Sequence, residues 1–205
     1  MGANRLPWIT ACIGAAALVL TAVRPSATPS PESYWSVFTP RAAVATERFD
    51  SLDQMVHSAD LVVLAQIRSL SPGREFGDEV DIVHYAAAEL DVKRVLHGSL
   101  PNGPVILELQ LPHGEGATDV PRYARQAPES AAVFILRNKG REATAMGLAA
   151  DRVAREAPYY RLVTPGALVA NSRGKAATAG ADAAYLVQLD GMSFDEAVRA
   201  ISESR

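Results

Sequence analysis

From Ile82 to Leu96 the chain alternates. Ile82, His84, Ala86, Ala88, Leu90 and Val92 fall on one side at period two, and Tyr85, Glu89, Asp91 and Lys93 on the other. This pattern specifies one unusually long, half-buried strand. Three consecutive alanines, Ala86 to Ala88, remove bulk from its middle. A strand needs such relief where it coils sharply across a neighbour in a small barrel, and a flat sheet has less use for it.

The flanking segments supply partners of the same kind. Leu61, Val63, Ala65 and Ile67 alternate with Val62, Leu64, Gln66 and Arg68, a strand entering a core. Ser71-Pro72-Gly73 and Gly77-Asp78 predict a reversal between about residues 71 and 80. After His97-Gly98 and the Pro101-Asn102-Gly103-Pro104 turn, Val105, Leu107, Leu109 and Leu111 give a third strand. A long loop from Pro112 to Ser130 then precedes Ala131 to Arg137, whose Val133, Phe134, Ile135 and Leu136 are apolar on both faces, the mark of a central strand. Residues 140–158 read as an inserted loop with partial helix. Tyr159 to Val163 and Ala167 to Ala170, joined by Pro165-Gly166, read as a final strand pair, followed by a polar loop over 172–180.

A short helix stands at each end of these strands. Ser51 and Gln54 have capping-box spacing, and Leu52, Met55, Val56 and Ala59 follow at i, i+3, i+4, i+7. Ser193 and Glu196 repeat the box, and Phe194, Ala197, Val198 and Ile201 repeat the stripe. The expected fold is mainly β: a small closed or partly open OB-like barrel of five to six strands, with a short helix before it and a C-terminal helix.

The N-terminus reads as an export signal. No residue from Leu6 to Val23 is charged, and Arg5 and Arg24 bracket the run. As a helix its span is about 27 Å, just under the ~30 Å of a bilayer core. Small residues do not fall together at −3 and −1: an end at Ala22 puts Leu20 at −3, and an end at Ala27 puts Pro25 there. Residues 1–28 are therefore read as a signal peptide or a signal anchor, giving a secreted domain or one tethered to the membrane. Ile9 to Cys12 approximates a lipoprotein box, but most of the apolar stretch follows Cys12, so the cysteine is read as a small apolar residue of the segment. Residues 29–48, rich in proline and serine at their start, read as a tether whose Tyr34, Trp35 and Phe38 dock on the domain or sit at a membrane interface. The barrel domain is expected over 49–205.

Composition narrows the chemistry. The 205 residues are 48% hydrophobic and 21% charged, as in an ordinary folded chain. With Arg5 and Arg24 set aside, 18 basic residues face 23 acidic ones, so a nucleic-acid partner is not expected. One cysteine in the whole chain excludes an intramolecular disulfide framework and a four-cysteine zinc site.

The order helix, "SADLVVLAQI", "YAAAELDVKRVLHG", "VILELQL", "AAVFILRN", "YYRLV" and short helix resembles exported actinobacterial proteins of uncharacterised function whose barrel is similar to the OB-fold. More distantly, strand 1 followed by a long strand ending in V-x-x-V-L-x-G is similar to the netrin-type module of tissue inhibitors of metalloproteinases. The similarity covers residues 51 to 170. Those inhibitors chelate zinc through an N-terminal cysteine, and no cysteine follows Cys12 here, so the resemblance does not imply protease inhibition.

No G-x-S-x-G elbow, H-E-x-x-H helix or phosphate-binding G-x-x-x-x-G-K-[ST] loop is present. His113-Gly114-Glu115-Gly116 is similar to an esterase oxyanion loop but lacks a nucleophile elbow, so it reads as a flexible loop. Asp78, Glu79 and Asp81 lack the alternating spacing of a calcium loop and read as a solvated turn. His57 suits the C-terminal end of its helix, His84 reads as a hydrogen-bonded core or barrel-end residue, and His97 and His113 read as loop residues. No catalytic residue, cofactor or metal site is assigned.

What remains is the outer face of the second strand. Tyr85, Glu89, Asp91 and Lys93, joined by Arg68, are the candidate binding face, bordered by the loops at 71–80 and 140–158. OB-folds take ligands on this face. The expected function is a non-catalytic binding module of the cell envelope, recognising a protein or an envelope ligand. Two alternatives stay open: an envelope hydrolase assembled from dispersed histidine and carboxylate side chains such as His84, and an apolar-ligand carrier using the barrel interior.

Overall fold

The structure is a computed structural model, and it describes residues 29–38, 49–78, 81–178 and 184–204. The expected export segment and the end of the tether lie outside the described residues. Among those described, no helix is long and apolar enough to cross a membrane.

Seven strands form one sheet, and five of them close on themselves. They are β1 (Leu61–Phe76), β2 (Val83–Gly98), β3 (Val105–Gln110), β4 (Ala132–Asn138), β5 (Tyr159–Leu162), β6 (Leu168–Ser172) and β7 (Lys175–Thr178). Neighbours run β1-β2-β3-β5-β4, and β4 returns to pair with β1. The seam is antiparallel except between β3 and β5, which run parallel. The result is an OB-like closed barrel, with β6 and β7 added outside it. A short helix before it and a capped C-terminal helix complete the architecture that the sequence pattern specifies.

Closing so few strands requires long, coiled ones. β1 and β2 are 16 residues each and their pairing shifts register four times. Ser71-Pro72-Gly73 is therefore no turn but an irregularity inside β1: Ser71 pairs with Ala87, Pro72 with Ala86, and the next pair is Glu75 with His84. Proline is tolerated at a bulge because the ladder is already interrupted there. Gly73 is needed because a Cβ would stand 2.8 Å from the Tyr85 backbone oxygen. The chain reverses later, at Gly77, where φ is +119°.

Three further expectations are corrected. β5 and β6 do not pair with each other: Leu136 to Asn138 of β4 pair with β5, and Ala132 to Phe134 pair with β6. They act as one interrupted strand along β4, bridged by hydrogen bonds from Val163 to Ile135 and from Ile135 to Ala167, while Pro165-Gly166 bows outward. The expected loop over 172–180 instead contains β7, reached through Arg173 and Gly174, which both have positive φ as a two-residue hairpin requires. His97 likewise lies in β2, paired with Val62.

The helices fill the ends and one outer face. α1 (Pro31–Ser36) starts at Ser30 and buries Tyr34 and Trp35, with Phe38 just beyond it. These rings dock on the domain: Trp35 meets Phe134 edge-on at 5.3 Å, and Phe38 lies 5.1 Å from Tyr123. The described part of the expected tether thus belongs to the barrel's core. α2 (Leu52–Ser58) is capped by Ser51, though the Gln54 side chain accepts from Asp50 N–H and not from the cap residue itself. α3 (Val120–Gln126) falls within the stretch expected to be a loop, with Pro121 in its first turn and Val120 and Tyr123 buried. α4 (Lys139–Ala145) and α5 (Ala150–Glu156) form a helical hairpin over 139–156. α6 (Ala184–Val187) and α7 (Phe194–Glu203) follow β7, and α7 carries the complete capping box.

There are two apolar cores. The barrel interior holds Leu61, Val63, Ala65, Ala86, Ala88, Leu107, Phe134 and Leu136, closed off by the α1 and α3 aromatics. The outer side of β1, β4 and β6 presents Val62, Val133, Ile135 and Val169 to Met55, Val56, Leu186, Phe194, Val198 and Ile201. β4 is buried on both faces, as its unbroken apolar run indicates. Each large apolar side chain so enclosed contributes roughly 1.5–3 kcal/mol.

Candidate functional site

With one outer face covered by helices, the other, carried by β2 and β3, is where charged chemistry collects. Glu108 is the only charged residue in β3, set between Leu107 and Leu109. Its side chain is 1% exposed, which a carboxylate tolerates only when paired. Its partner comes from the irregularity in β1. Arg74 donates through Nε to Glu108 Oε1 and through Nη2 to Oε2, both at 2.6 Å. Between the two strands, β2 offers Ala87, in register with both Ser71 and Glu108. A methyl side chain there leaves the outer face open to a long arginine.

The same guanidinium carries a second fork. Nη1 and Nη2 donate to Glu156 Oε1 and Oε2 at 2.9 Å each, from the last residue of α5. Lys139, the first residue of α4, places Nζ 2.6 Å from Glu108 Oε2 and 3.9 Å from Glu156 Oε2. Aromatic rings wall the cluster. The Arg74 guanidinium lies 4.0 Å from the Tyr159 ring centre and 4.9 Å from that of Phe76, and Lys139 Nζ lies 5.2 Å from Phe76 and 5.5 Å from Tyr85. Phe76 and Tyr85 meet edge-on at 5.5 Å. Hydrogen bonding to Glu108 holds Arg74 above its ordinary range although burial opposes this, the Arg74 fork holds the Glu156 carboxyl below its range, and burial raises the Tyr85 phenol.

The five residues expected to form the binding face divide between two places. Tyr85 belongs to the cluster just described. Arg68 and Glu89 pair at 3.0 Å, and Lys93 and Asp91 at 2.6 Å, farther along the β1–β2 ribbon. Arg68 is 66% exposed and both members of the Lys93–Asp91 pair are close to half exposed. Such exposed, screened pairs add little to stability, so these are solvent-facing charges. Arg74, Glu108, Lys139, Glu156 and Tyr159 were not among the expected residues. The signal that could have found them is Glu108, a charge inside an otherwise apolar strand.

The remaining candidates lie elsewhere on the molecule. His84 stands at the end of the barrel with Nδ1 3.0 Å from Glu75 Oε1, and Glu75 is 56% exposed, so the pair sits on an open rim. In the His113–Gly116 loop, Glu115 accepts from Tyr123 Oη at 2.5 Å and from Arg122 at 2.8 Å, while Gly116 N–H donates to Asp119. Burial first and the Glu115 bond second push the Tyr123 phenol up to about 12. The loop is thus pinned to α3 by its glutamate. Asp78 accepts from the Asp81 N–H, as in an Asx-type turn, and Glu79 lies outside the described residues. His57 occupies the last turn of α2. Among the described residues no three His, Cys, Asp or Glu side chains gather into a group that could hold a metal.

The α4–α5 hairpin is tied down by charge as well as by packing: α4 buries Gly140 and Ala143, and Asn138 Nδ2 donates to Ala157 O at 2.9 Å. Arg141 reaches Asp60 at 3.0 Å, Arg161 grips Glu142 through two bonds, and α5 buries no residue of its own. The two helices cross closely, since a Cβ on Gly140 would stand 2.5 Å from Ala157 Cα. The chain matches no family model, no curated protein and no solved structure.

Proposed function

We propose that the protein is a non-catalytic binding module of the cell envelope. It is exported or tethered through the apolar run at 6–23 and recognises a protein or envelope ligand with the outer β2 face of Arg68, Tyr85, Glu89, Asp91 and Lys93, beside the α4–α5 hairpin. One observation carries this reading. The barrel's outer face on β1, β4 and β6 is sealed by α2, α6 and α7, whereas the β2 side keeps solvent-facing charges that make only weak pairs with one another. The interior, filled by side chains such as Phe134, Leu107 and the α1 rings, favours recognition on the surface over carriage of an apolar ligand inside. The acidic balance of the chain favours partners that are not polyanions.

The test is site-specific photo-crosslinking in the native host. A photoreactive residue at Glu89 is expected to give a discrete adduct, and one at Arg199, exposed on α7, is expected to give none. Equal adducts from both positions, or none from Glu89, would remove this face as the recognition surface.

A further inference from the structure

The charge cluster is neutral only while α5 is in place. Arg74 and Lys139 balance Glu108 and Glu156. Arg74 and Glu108 lie on barrel strands, and Lys139 follows directly on Asn138 at the end of β4. Glu156 alone arrives from α5, a seven-residue helix that buries no side chain, and helices this short have little stability of their own. With Glu156 displaced, two cations and one carboxylate would remain, a net single positive charge beside the rings of Tyr159, Phe76 and Tyr85.

We infer that Glu156 is a resident stand-in for the carboxylate of an acidic ligand with an apolar or aromatic body, which takes its seat on Arg74 beside Lys139. This rests on the outer β2–β3 face being the recognition surface. The seat selects a carboxylate by shape and by charge. Nη1 and Nη2 present parallel bonds to two oxygens of one planar group, the geometry of an arginine–carboxylate fork. One negative charge restores neutrality, whereas a dianion such as phosphate would leave a surplus negative charge next to the buried Glu108. Phe76, 38% exposed at the rim, provides apolar contact for the body of such a ligand.

The experiment is an amide NMR titration of the full chain, unaltered and as Glu156→Ala, with benzoate and with benzamide, its neutral counterpart. Emptying the seat is expected to tighten benzoate at least tenfold, with shifts at Arg74 to Phe76, Glu108 and Lys139, and to leave benzamide unaffected. Adding Arg74→Lys, which keeps the charge and removes the fork, is expected to reverse that gain. Equal benzoate affinity with and without Glu156, or equal binding of benzamide, overturns the inference. If Glu156→Ala does not fold, hydrogen exchange on the unaltered chain decides. Benzoate must then accelerate α5 amides relative to the same concentration of benzamide, and unchanged α5 exchange sinks the idea. Benzoate binding without a crosslink from Glu89 would remove partner recognition while leaving the seat intact; the converse would remove only the seat.

Discussion

Arg74 and Glu108 are joined by two hydrogen bonds of 2.6 Å, linking an irregularity in β1 to the middle of β3 across the outer face of β2. This contact anchors the outer face of the barrel and gathers Lys139 and Glu156 around it.

Removing one side of this pair unbalances the cluster: without Glu108, Arg74 and Lys139 share Glu156 alone, and without Arg74, Glu108 keeps only Lys139. Glu108→Leu is expected to cost about 3–5 kcal/mol, and the double change Arg74→Leu with Glu108→Leu less than the sum of those two single changes. Urea unfolding of the four proteins in the cycle measures the coupling. A coupling energy near zero would contradict the fork.

Exposed pairs should behave differently. Glu89→Ala and Asp91→Ala are each expected to leave stability essentially unchanged, because both pairs face solvent and are screened. The urea midpoint of each variant against the parent provides the comparison.

Tyr34 supplies a prediction of opposite sign. Its ring is buried, and its hydroxyl has no hydrogen-bond partner among the described residues. Burial holds this phenol above its ordinary range. Replacement by phenylalanine is expected to be neutral or to stabilise by up to about 1–3 kcal/mol, the cost of burying an unpaired polar group. A Tyr34→Phe protein that melts several degrees lower would show that the hydroxyl is engaged.

Acid should loosen the α4–α5 hairpin before the barrel. The Glu156 and Glu142 carboxyls are held down chiefly by hydrogen bonds from Arg74 and Arg161 respectively. A depressed folded value means a contribution that is fully present above the unfolded glutamate value of about 4.3 and lost as pH falls through the folded value. Exchange of amides in 139–156 is therefore expected to gain on that of β4 only below about pH 4, after correction for the intrinsic rate. Hairpin protection that is flat through that window would mean the two carboxylates do not hold it.

Gly77 tests the turn. Its φ is +119° and a Cβ would stand 1.9 Å from the Asp81 backbone oxygen. Gly77→Ala is expected to destabilise by at least about 1–2 kcal/mol, a drop of several degrees in Tm for a domain of this size. An unchanged Tm would mean the β1–β2 connection can reshape around the substitution.

Periodicity made much of this barrel legible. The alternation through Ala86, Ala88 and Leu90, the doubly apolar run through Phe134, and the Ser51 and Ser193 helix starts are local patterns, and local patterns survive in sequence. Pairing is a different matter. Pro72 and Gly73 look like a reversal until the curvature of β1 against β2 turns them into an irregularity, and Pro165 looks like one until β4 proves long enough to serve both β5 and β6. The site was least legible because its members, from Arg74 to Tyr159, lie on six elements and meet only after the barrel closes. On the outer β2 face, Tyr85 packs with residues of other elements, Phe76 and Lys139, and not with the charged residues of its own strand that alternation groups it with.

The rings of α1 set a limit on how far the chain can be trimmed from its front. A protease or a cloning boundary that stops at Ser30 keeps both the helix cap and the aromatics intact. One that advances to Phe49 takes Tyr34, Trp35 and Phe38 out of the interior together, leaving Phe134 and Tyr123 without their neighbours. The smallest version of this protein that keeps its own centre therefore begins some thirty residues ahead of its first strand, at Ser30 and not at Leu61.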